Sequence, residues 1–372
     1  MWHCRPPAEE GASMSLSRIR GPFALVLALG LAPASALAEE LTELVEKWLA
    51  SPHGDYGSLS FNYWNKEGGV PVACAHCHSQ PSFVAWLGAD GSEAGVVEHP
   101  GAINAPIGCA SCHTAAAHAL DAVRFPSGVR VDGLGWNATC TVCHQGRQSG
   151  DHVTRAIEGI GSDDVSTDLS FLNIHYGVAA AVMHGSEVRG GFQYPGRAYV
   201  GRFRHVAGAD TCVACHDAHT TQVETDGCLG CHRGVEDIRD IRTRHADFDG
   251  DGDISAGVHA EIIGLQDRLY DAIRTYAADV AGVPIVYFPG RFPYYFNDPD
   301  GDGAITPEEA IFPNRYRNWT PRLLQAAYNY QVAKKDAGGY VHNPPYLLQL
   351  LHDSLESLSE RVEIDTRRLR RP

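Results

Sequence analysis

Five copies of one short motif constrain this chain more than any other feature. Each copy reads Cys-x-x-Cys-His, and together the copies use ten of the eleven cysteines in the 372 residues. In c-type attachment the two thiols of such a motif add to the two vinyl groups of one porphyrin, and the histidine that follows reaches its iron. The repeated motif therefore predicts five covalently attached haems. The attachment cysteines are Cys74, Cys77, Cys109, Cys112, Cys140, Cys143, Cys212, Cys215, Cys228 and Cys231, and the proximal histidines are His78, His113, His144, His216 and His232.

Two other uses of paired cysteines fit the pattern less well. Zinc ribbons join Cys-x-x-Cys units in twos, and exported proteins use cysteines for structural disulfides. Neither use requires a histidine after every pair, and five is an odd number for paired zinc knuckles. Haem attachment is the interpretation that explains every residue of the motif.

Methionine is too scarce to supply the second axial ligand of most haems. The chain has three methionines, and Met1 and Met14 belong to the presumed leader, so Met183 alone remains. We therefore expect low-potential haems with two histidine ligands, or one open iron among them. The histidines left for this role are His53, His76, His99, His118, His152, His175, His184, His205, His219, His245, His259, His342 and His352.

Local context selects five of these histidines as distal candidates. His53, His175 and His205 have aromatic residues nearby in sequence that would pack against a porphyrin. His219 follows proximal His216 by three residues, too close to bind the same iron from the other side but well placed for a neighbouring haem. His342 is the fifth candidate, and His118, His152 and His245 are reserves.

The first 38 residues resemble an export signal. A start with two arginines precedes an apolar run, and small residues at Ala36 and Ala38 suit signal peptidase, so translation is predicted to begin at Met14. The apolar run is short for a retained membrane anchor, and no later segment is predicted to span a membrane. We expect a periplasmic or extracellular protein. The formal charge of −15 argues against nucleic acid and favours cationic redox partner proteins.

Two domains are predicted after the leader. Residues 39–235 carry the haem motifs with many Gly and Pro, so loops, short helices and a core made of haems are expected, with little sheet. Residues 236–372 lack cysteine and show helical patterns, with Ile262, Ile263 and Leu269 on one face of the first helix. Thr320 and Asn343 cap two later helices that should pack antiparallel, the first stopping at Gly338 and Gly339. The fold class is mainly α with extensive loops.

Two acidic loops in the second domain predict EF-hand-like calcium sites. Residues 298–309 place Asp298, Asp300, Asp302, Ala304, Thr306 and Glu309 at the ligand positions of a calcium loop. The earlier loop has Asp247, Asp249, Asp251 and Asp253, but Val258 stands at position twelve and Glu261 comes three residues late. A solvated acidic turn is the alternative for this earlier loop. Nearby prolines favour bracing over calcium sensing.

Several longer segments resemble a family of exported multihaem cytochromes of anaerobic and metal- or sulfur-metabolising bacteria. The resemblance rests on VPVACAHCHS, CTVCHQGRQS, the stretch from NIHYG through GRFRHV into DTCVACHDAHT, and RLLQAAYNYQVAKKDAGGYVHNPPYLLQLLHDSLESL. It implies electron transfer through bis-histidine haems, with His53, His175, His205 and His219 at positions that such proteins use for distal ligands. His76 and His118 stand where that family has other residues.

Three functions follow from these features. The leading hypothesis is an electron carrier in anaerobic respiration, linking a donor complex to a periplasmic or extracellular acceptor, with subunits able to form a homo-oligomer or haem filament. The alternative is a pentahaem reductase of a nitrogen or sulfur oxyanion at one open haem, although the Cys-x-x-Cys-Lys motif of nitrite reductases is absent. A calcium-dependent docking module is the third.

Overall fold

The computed structural model describes residues 34–372, with side chains described from residue 38 onward. The predicted Met14 start and the apolar run of the signal lie outside the described residues. The predicted cleavage point after Ala38 falls within the first described helix, and export by a signal peptide stays a prediction. No helix in the described part of the chain is long and apolar enough to cross a membrane.

Short helices joined by long loops make up most of the molecule, which confirms the predicted mainly α fold with little sheet. The α-helices are α1 (Ala34–Leu49), α2 (Leu59–Asn62), α3 (Val72–His78), α4 (Gln80–Trp86), α5 (Ala115–Ala119), α6 (Asn137–His144), α7 (Gly150–Ala156), α8 (Ala179–His184), α9 (Asp226–Cys231), α10 (Val258–Asp279), α11 (Pro321–Lys335), α12 (Gly339–His342) and α13 (Pro344–Ser359). The 3₁₀ helices are Cys109–Ser111, Gly185–Glu187, Cys212–Ala214, Ile238–Asp240 and Phe312–Asn314.

Two antiparallel strand pairs account for the sheet in the described residues. Strand β1 (Val123–Arg124) pairs with β2 (Arg130–Val131), and β3 (Ile285–Tyr287) pairs with β4 (Tyr295–Asn297). The second pair is buried against the helices, and Tyr295 is 1% exposed. Neither pair carries a predicted site residue.

Three long helices near the C-terminus, α10, α11 and α13, pack together around a large apolar core. Thr320 caps α11 by accepting from the Leu323 backbone N–H, and Asn343 caps α13 by accepting from Tyr346, as the sequence predicts. Polar contacts join the start of α11 to the end of α13, where Arg322 donates to the Ser357 carbonyl. The two helices are therefore antiparallel, and the predicted pair is confirmed.

Two details of the predicted helices are wrong. Helix α11 ends at Lys335, with Asp336 as its C-cap, before Gly338 and Gly339. Ile263 is 37% exposed, whereas Ile262 is 4% exposed, because residues adjacent in a helix point 100° apart and only one of them faces the core.

The large core contains residues from both sides of the predicted boundary at residue 235. Val153, Ile174 and Phe192 belong to the same apolar cluster as Leu269 and Leu351. A buried hydrogen-bond pair also spans the two parts, since the Asn329 side chain accepts from the Phe192 N–H and donates to its carbonyl. The helical C-terminal part therefore supports a stretch of the motif-bearing part directly.

The segment between Phe192 and Phe248 has no comparable interior. Across residues 193–247, all of which the structure describes, no residue is buried. Two of the five motifs lie in this segment. Its shape depends on short turns and on contacts at its ends.

Candidate haem-attachment array

Every Cys-x-x-Cys-His motif adopts one turn of helix. The first and third motifs lie in α3 and α6, the second and fourth in the 3₁₀ helices at Cys109 and Cys212, and the fifth in α9. In the second, fourth and fifth motifs the histidine N–H donates to the carbonyl of the first cysteine at 2.8–2.9 Å. Side chains three residues apart share one face of such a turn. Both thiols of a motif therefore point to the same side, as attachment to one porphyrin edge requires.

The ten motif cysteines carry no disulfide and none is buried. Among the described residues, eight buried polar side-chain atoms lack hydrogen-bond partners, and three of them belong to residues inside or directly after a motif: Ser79 Oγ, Ser111 Oγ and Gln145 Oε1. Buried polar atoms are normally satisfied. These three atoms fit a site that a polar-edged cofactor completes.

Each proximal histidine has one of the five predicted distal histidines as a near neighbour. The ring centroids are 5.8 Å apart for His78 and His175, 6.2 Å for His113 and His219, 6.3 Å for His144 and His53, 6.4 Å for His216 and His342, and 6.0 Å for His232 and His205. The structure thus brings together five pairs from distant parts of the chain, with no histidine shared between them.

These separations suit a metal ion between two imidazoles. A nitrogen of histidine binds a metal at about 2 Å, so one ion bridging two rings places their centroids roughly 6 Å apart. Direct stacking or a hydrogen bond between two rings would bring them closer. The donor set, two thiols and two imidazoles at each of five places, fits haem c.

Backbone carbonyls orient three of the proximal rings. The Nδ1 atoms of His78, His144 and His216 lie 2.7, 2.9 and 3.1 Å from the carbonyl oxygens of Ser60, Gly177 and Thr221. A ring that donates from Nδ1 presents an unprotonated Nε2, the tautomer that an iron ligand needs. The carbonyls therefore hold each ring ready for coordination through Nε2.

One distal candidate has a carboxylate in the same role. His342 Nδ1 lies 2.8 Å from Asp336 Oδ1, and Asp336 is 6% exposed. Burial opposes the charge, but the nearby Asp336 carboxylate raises the pKa of His342 above its usual value. A carboxylate on Nδ1 increases the basicity of a ligating imidazole.

Burial keeps other members of the array neutral. It lowers the pKa of His175 to about 4, helped by the neighbouring His78, and it lowers the pKa of His53, His144 and His232. Metal ligation requires a deprotonated imidazole nitrogen. These four rings are thus in the correct charge state at neutral pH.

The backbone at two of these positions is strained. His175 has φ +87° and Thr221, whose carbonyl meets His216, has φ +61°. Residues other than glycine rarely adopt such angles, and they cluster at functional sites. Strain at a predicted ligand and at a ligand's hydrogen-bond partner supports their placement in a site.

His118 is an alternative to His219 as the distal histidine of the second motif. The His118 centroid lies 6.3 Å from that of His113, and His118 also packs on Trp136 at 4.6 Å. His219 is parallel to His113 within 7°, whereas His118 is tilted by 70°. Both spacings suit a bridging metal, so distance alone does not choose between them.

The reserve His152, and His184 and His76, which were not selected as candidates, have other contacts. His152 Nδ1 lies 2.9 Å from Ser149 Oγ, His184 contacts Glu187 and Phe125, and His76 stacks on Trp86. These contacts give them the ordinary structural roles of histidine.

The two acidic loops each gather three aspartates. Asp298, Asp300 and Asp302 offer ligand atoms within 4.8 Å of one another, and so do Asp247, Asp249 and Asp251. Burial and neighbouring carboxylates raise the pKa of Asp249 to about 6 and raise that of Asp298. A calcium loop requires carboxylates that are held close together despite the repulsion between their charges.

Other predicted calcium ligands have protein partners instead. Glu309 Oε2 accepts from the Thr306 N–H and hydroxyl, and Asp253 accepts from Ser255. Glu261 pairs with Arg242 and accepts from the N–H groups of Phe248 and Asp249. The structure therefore brings together three of the predicted side chains in each loop and directs the rest elsewhere. No contact of the Ala304 carbonyl tests its predicted role as a calcium ligand, so that role stays a prediction.

Sequence reasoning missed the residues that support the histidines. Gly177, Thr221 and Asp336 act through Nδ1 contacts that only the folded chain reveals. Gly177 could have been found from the sequence. It lies two residues after His175 in HYG, and a glycine beside a ligand often permits a close approach of the backbone to that ligand.

Comparisons with known proteins give the array a context. The chain is 24% identical to the C-type polyheme cytochrome OmcB of two Geobacter sulfurreducens strains, over 83% of this chain and 47% of OmcB. It is 25% identical to the C-type polyheme cytochrome OmcC of that species, over 60% of this chain and 30% of OmcC. It spans at most about half the length of these curated relatives. No family model and no solved structure matches it. The chain is thus similar in sequence to polyhaem c-type cytochromes over part of their length.

Proposed function

We propose that this protein is an electron carrier that holds five haem c groups, each bound by two thiols and by two histidines. The observation that carries the proposal is the set of five separate histidine pairs, each joining a motif histidine to a predicted distal histidine at 5.8–6.4 Å. The kinship with polyhaem cytochromes supports the same function.

The chain's own residues account for binding and tuning. The thiols would anchor each haem and the paired imidazoles would bind its iron, while the Nδ1 partners Ser60, Gly177, Thr221 and Asp336 fix the orientation of four of the rings. Haem iron with two imidazole ligands supplies a one-electron couple of low potential relative to His/Met haem. The protein therefore sets which ligands are present and how basic they are.

A partner for every proximal histidine favours the carrier over the reductase. A reductase needs one iron with an open position for its oxyanion substrate, whereas every motif histidine here has a second ring at a bridging distance. Electron paramagnetic resonance of the oxidised holoprotein, together with a haem count, tests this. Five haems with low-spin signals alone are expected, and a high-spin signal from one of five haems would favour the reductase.

The choice between His219 and His118 at the second motif needs a matched pair of variants. In H219M the ligand change is expected to alter one low-spin signal, while H118M leaves all of them unchanged. The reverse outcome would assign His118 as the ligand.

Location and partners follow from the same proposal. The relatives and the predicted signal support an exported protein, periplasmic or extracellular, that exchanges electrons with redox proteins. The charge of −15 favours partners with a cationic contact surface. Assembly into a homo-oligomer or haem filament is a further part of this proposal.

We also propose that the two acidic loops bind calcium that braces the helical part. The clustered aspartates support it, and the second loop has the more complete ligand set. Calcium should raise the melting temperature of the holoprotein relative to EDTA, and D298N/D302N should remove most of that increase. The matched variant D247N/D251N tests the first loop, and D237N, outside both loops, is the control. No response to calcium in the unmodified protein would end this part of the proposal.

A further inference from the structure

Lys335, the last residue of helix α11, is a buried cation without an acidic partner. Among the described residues, two lysine or arginine residues are buried, Arg322 and Lys335, each 8% exposed. Arg322 pairs with the carboxylates of Asp163 and Glu360, both at 2.8 Å. No carboxylate of the described chain lies within 4 Å of the Lys335 ammonium, and no protein oxygen accepts a hydrogen bond from it. A buried charge is costly unless it is paired, so Lys335 needs an explanation that Arg322 does not.

Two tyrosine rings hold this ammonium. Lys335 Nζ lies 3.2 Å from the ring centroid of Tyr176 and 4.4 Å from that of Tyr294. The Tyr176 hydroxyl donates to the Pro289 carbonyl at 3.0 Å, which fixes that ring. Aromatic faces attract a cation, but they leave its charge unneutralised, and an ammonium has three N–H donors. Burial lowers the pKa of Lys335 to about 8, so the side chain is still charged at pH 7 and able to bind an anion.

The cation lies beside the predicted distal ligand of the first motif. Tyr176 directly follows His175, and the two rings are 5.8 Å apart. The His175 ring lies 5.8 Å from that of His78, the histidine of the first motif. Burial is the main reason why the pKa of His175 is low, and the positive charge of Lys335 contributes to it. Lys335 therefore borders the place where the first haem would bind.

Arg147 also borders this place, but its environment is different. Its guanidinium lies 3.8 Å from Cys74 Sγ, and its backbone N–H donates to the Ile174 carbonyl. Arg147 is exposed, so water solvates its charge and no anionic partner is needed. The first motif thus has one solvated cation beside an attachment cysteine, whereas Lys335, beside the distal histidine, is shielded from water.

From these contacts we propose that the Lys335 ammonium pairs with a propionate of the haem bound between His78 and His175. The proposal rests on the proposed function. A haem carries two propionate carboxylates at its rim, so it brings an acid to the one buried lysine or arginine that the described chain leaves without one. Tyr176 and Tyr294 hold Nζ in place for this contact. A cation beside a propionate offsets negative charge near the iron, which favours the ferrous form. Lys335 thereby raises the potential of the first haem.

A structure of the holoprotein, from crystallography or electron cryomicroscopy, tests the contact directly. A propionate oxygen of the haem attached to Cys74 and Cys77 is expected within about 4 Å of Lys335 Nζ. The proposal is overturned if Nζ contacts only the two tyrosines, or pairs with water or a soluble anion. A haem count and low-spin spectra taken first separate the two levels, because five bis-histidine haems without this contact refute the pairing alone. A first haem without His78 and His175 as its ligands would refute the proposed function as well.

A matched set of lysine variants tests the consequence for the potential. K335M removes the charge and should make reduction of one haem about tenfold less favourable, or roughly 59 mV for one electron. K335R keeps the charge and should retain most of the original potential. K334M removes the charge of the neighbouring lysine, which is exposed, and should leave all haem potentials nearly unchanged.

Redox titration followed by nuclear magnetic resonance measures each haem. H175M identifies the signals of the first haem, because it changes the axial ligand there. Equal shifts in K334M and K335M, a shift at a different haem, or no shift in K335M would contradict the proposal. If K335M loses the first haem, the structure of the unmodified holoprotein still decides.

Discussion

The segment 193–247 and the core formed by α10, α11 and α13 differ in what surrounds their apolar side chains. In the core, Leu269, Leu323 and Leu351 are each 0% exposed. In the segment, Val206, Val213 and Val223 are between 41% and 51% exposed, and no residue is buried. The core is stabilised by burying apolar side chains against each other. The segment leaves these three valine side chains for a partner, and in our proposal that partner is the porphyrin.

This difference explains why the two parts divide their tasks. A core packed by side chains needs no cofactor to fill it, and it includes the loop residue Ile174, which directly precedes distal His175. A segment of turns can place two motifs in 55 residues because none of its residues is needed to form a core of its own. The first part thus positions ligands, and the second part carries attachment sites.

Removing haem should produce the largest difference between the segment and the core, measured as protection of backbone amides from exchange. In protein produced without haem, backbone amides of residues 204–241 are expected to exchange at rates near those of an unfolded chain, because few protein contacts cover them, whereas residues 193–203 are held by side chains of α13 such as Gln349 and Asp353. Amides in α11 and α13 should keep the protection they have in the holoprotein. Hydrogen exchange followed by mass spectrometry measures both. Full protection of residues 204–241 without haem would show that this part of the segment folds unaided.

Truncating a core leucine should affect the whole protein. Leu351 on α13 is 0% exposed, and L351A is expected to cost about 2–5 kcal/mol of unfolding free energy through lost burial and a cavity. The matched variant L59A changes a side chain that is 72% exposed and should stay within about 0.5 kcal/mol. Urea denaturation of the holoproteins provides the comparison. Similar losses in both would contradict the assignment of stability to the core.

Alanine variants of two glycines, Gly177 and Gly159, test how the backbone supports one haem ligand, His144. Gly177 has φ +61°, and a Cβ there would lie 3.1 Å from His144 Nδ1, where the Gly177 carbonyl now accepts. Gly159 has φ +78° but open space around it. Both alanine variants incur backbone strain of about 1–2 kcal/mol. G177A alone should also displace the His144 ring.

The readout that distinguishes them is spectroscopic. G177A is expected to shift one low-spin signal of the oxidised holoprotein, whereas G159A leaves every signal in place while losing similar stability. An unchanged spectrum in G177A would mean that the carbonyl does not orient His144.

The parts of this site that sequence revealed are those with local chemistry. A Cys-x-x-Cys-His motif is complete within five residues, and Thr320 or Asn343 caps its helix within one turn, so both could be predicted. Which distal histidine meets which motif could not, because His342 reaches His216 only after α11 and α12 have folded back. The Gly177 and Asp336 contacts share that dependence on distant packing. The same holds for the core that joins Val153 to Leu351.

Acid should weaken the core through one buried carboxylate. Asp353 on α13 is 2% exposed, and although burial opposes its charge, hydrogen bonds from His352, Arg371 and Tyr199 lower its pKa to about 2. The unfolded chain binds this proton near pH 3.9. Because the folded pKa is the lower one, the stabilisation is complete above the unfolded pKa and disappears as the pH falls through 2.

D353N is therefore expected to cost on the order of 1–2 kcal/mol at pH 7, after allowance for solvent screening, and almost nothing extra at pH 2. D365N is the matched control, since Asp365 pairs with Arg367 on the surface and its loss should change stability less. Thermal melts of both variants across pH 2–7 measure the difference. The reason for the contrast lies in the packing, because the same arginine and carboxylate chemistry contributes to stability where the core holds both groups and contributes little where water surrounds them. A loss in D353N that stays constant down to pH 2 would show that shape, rather than charge, fixes the C-terminal residues to the core.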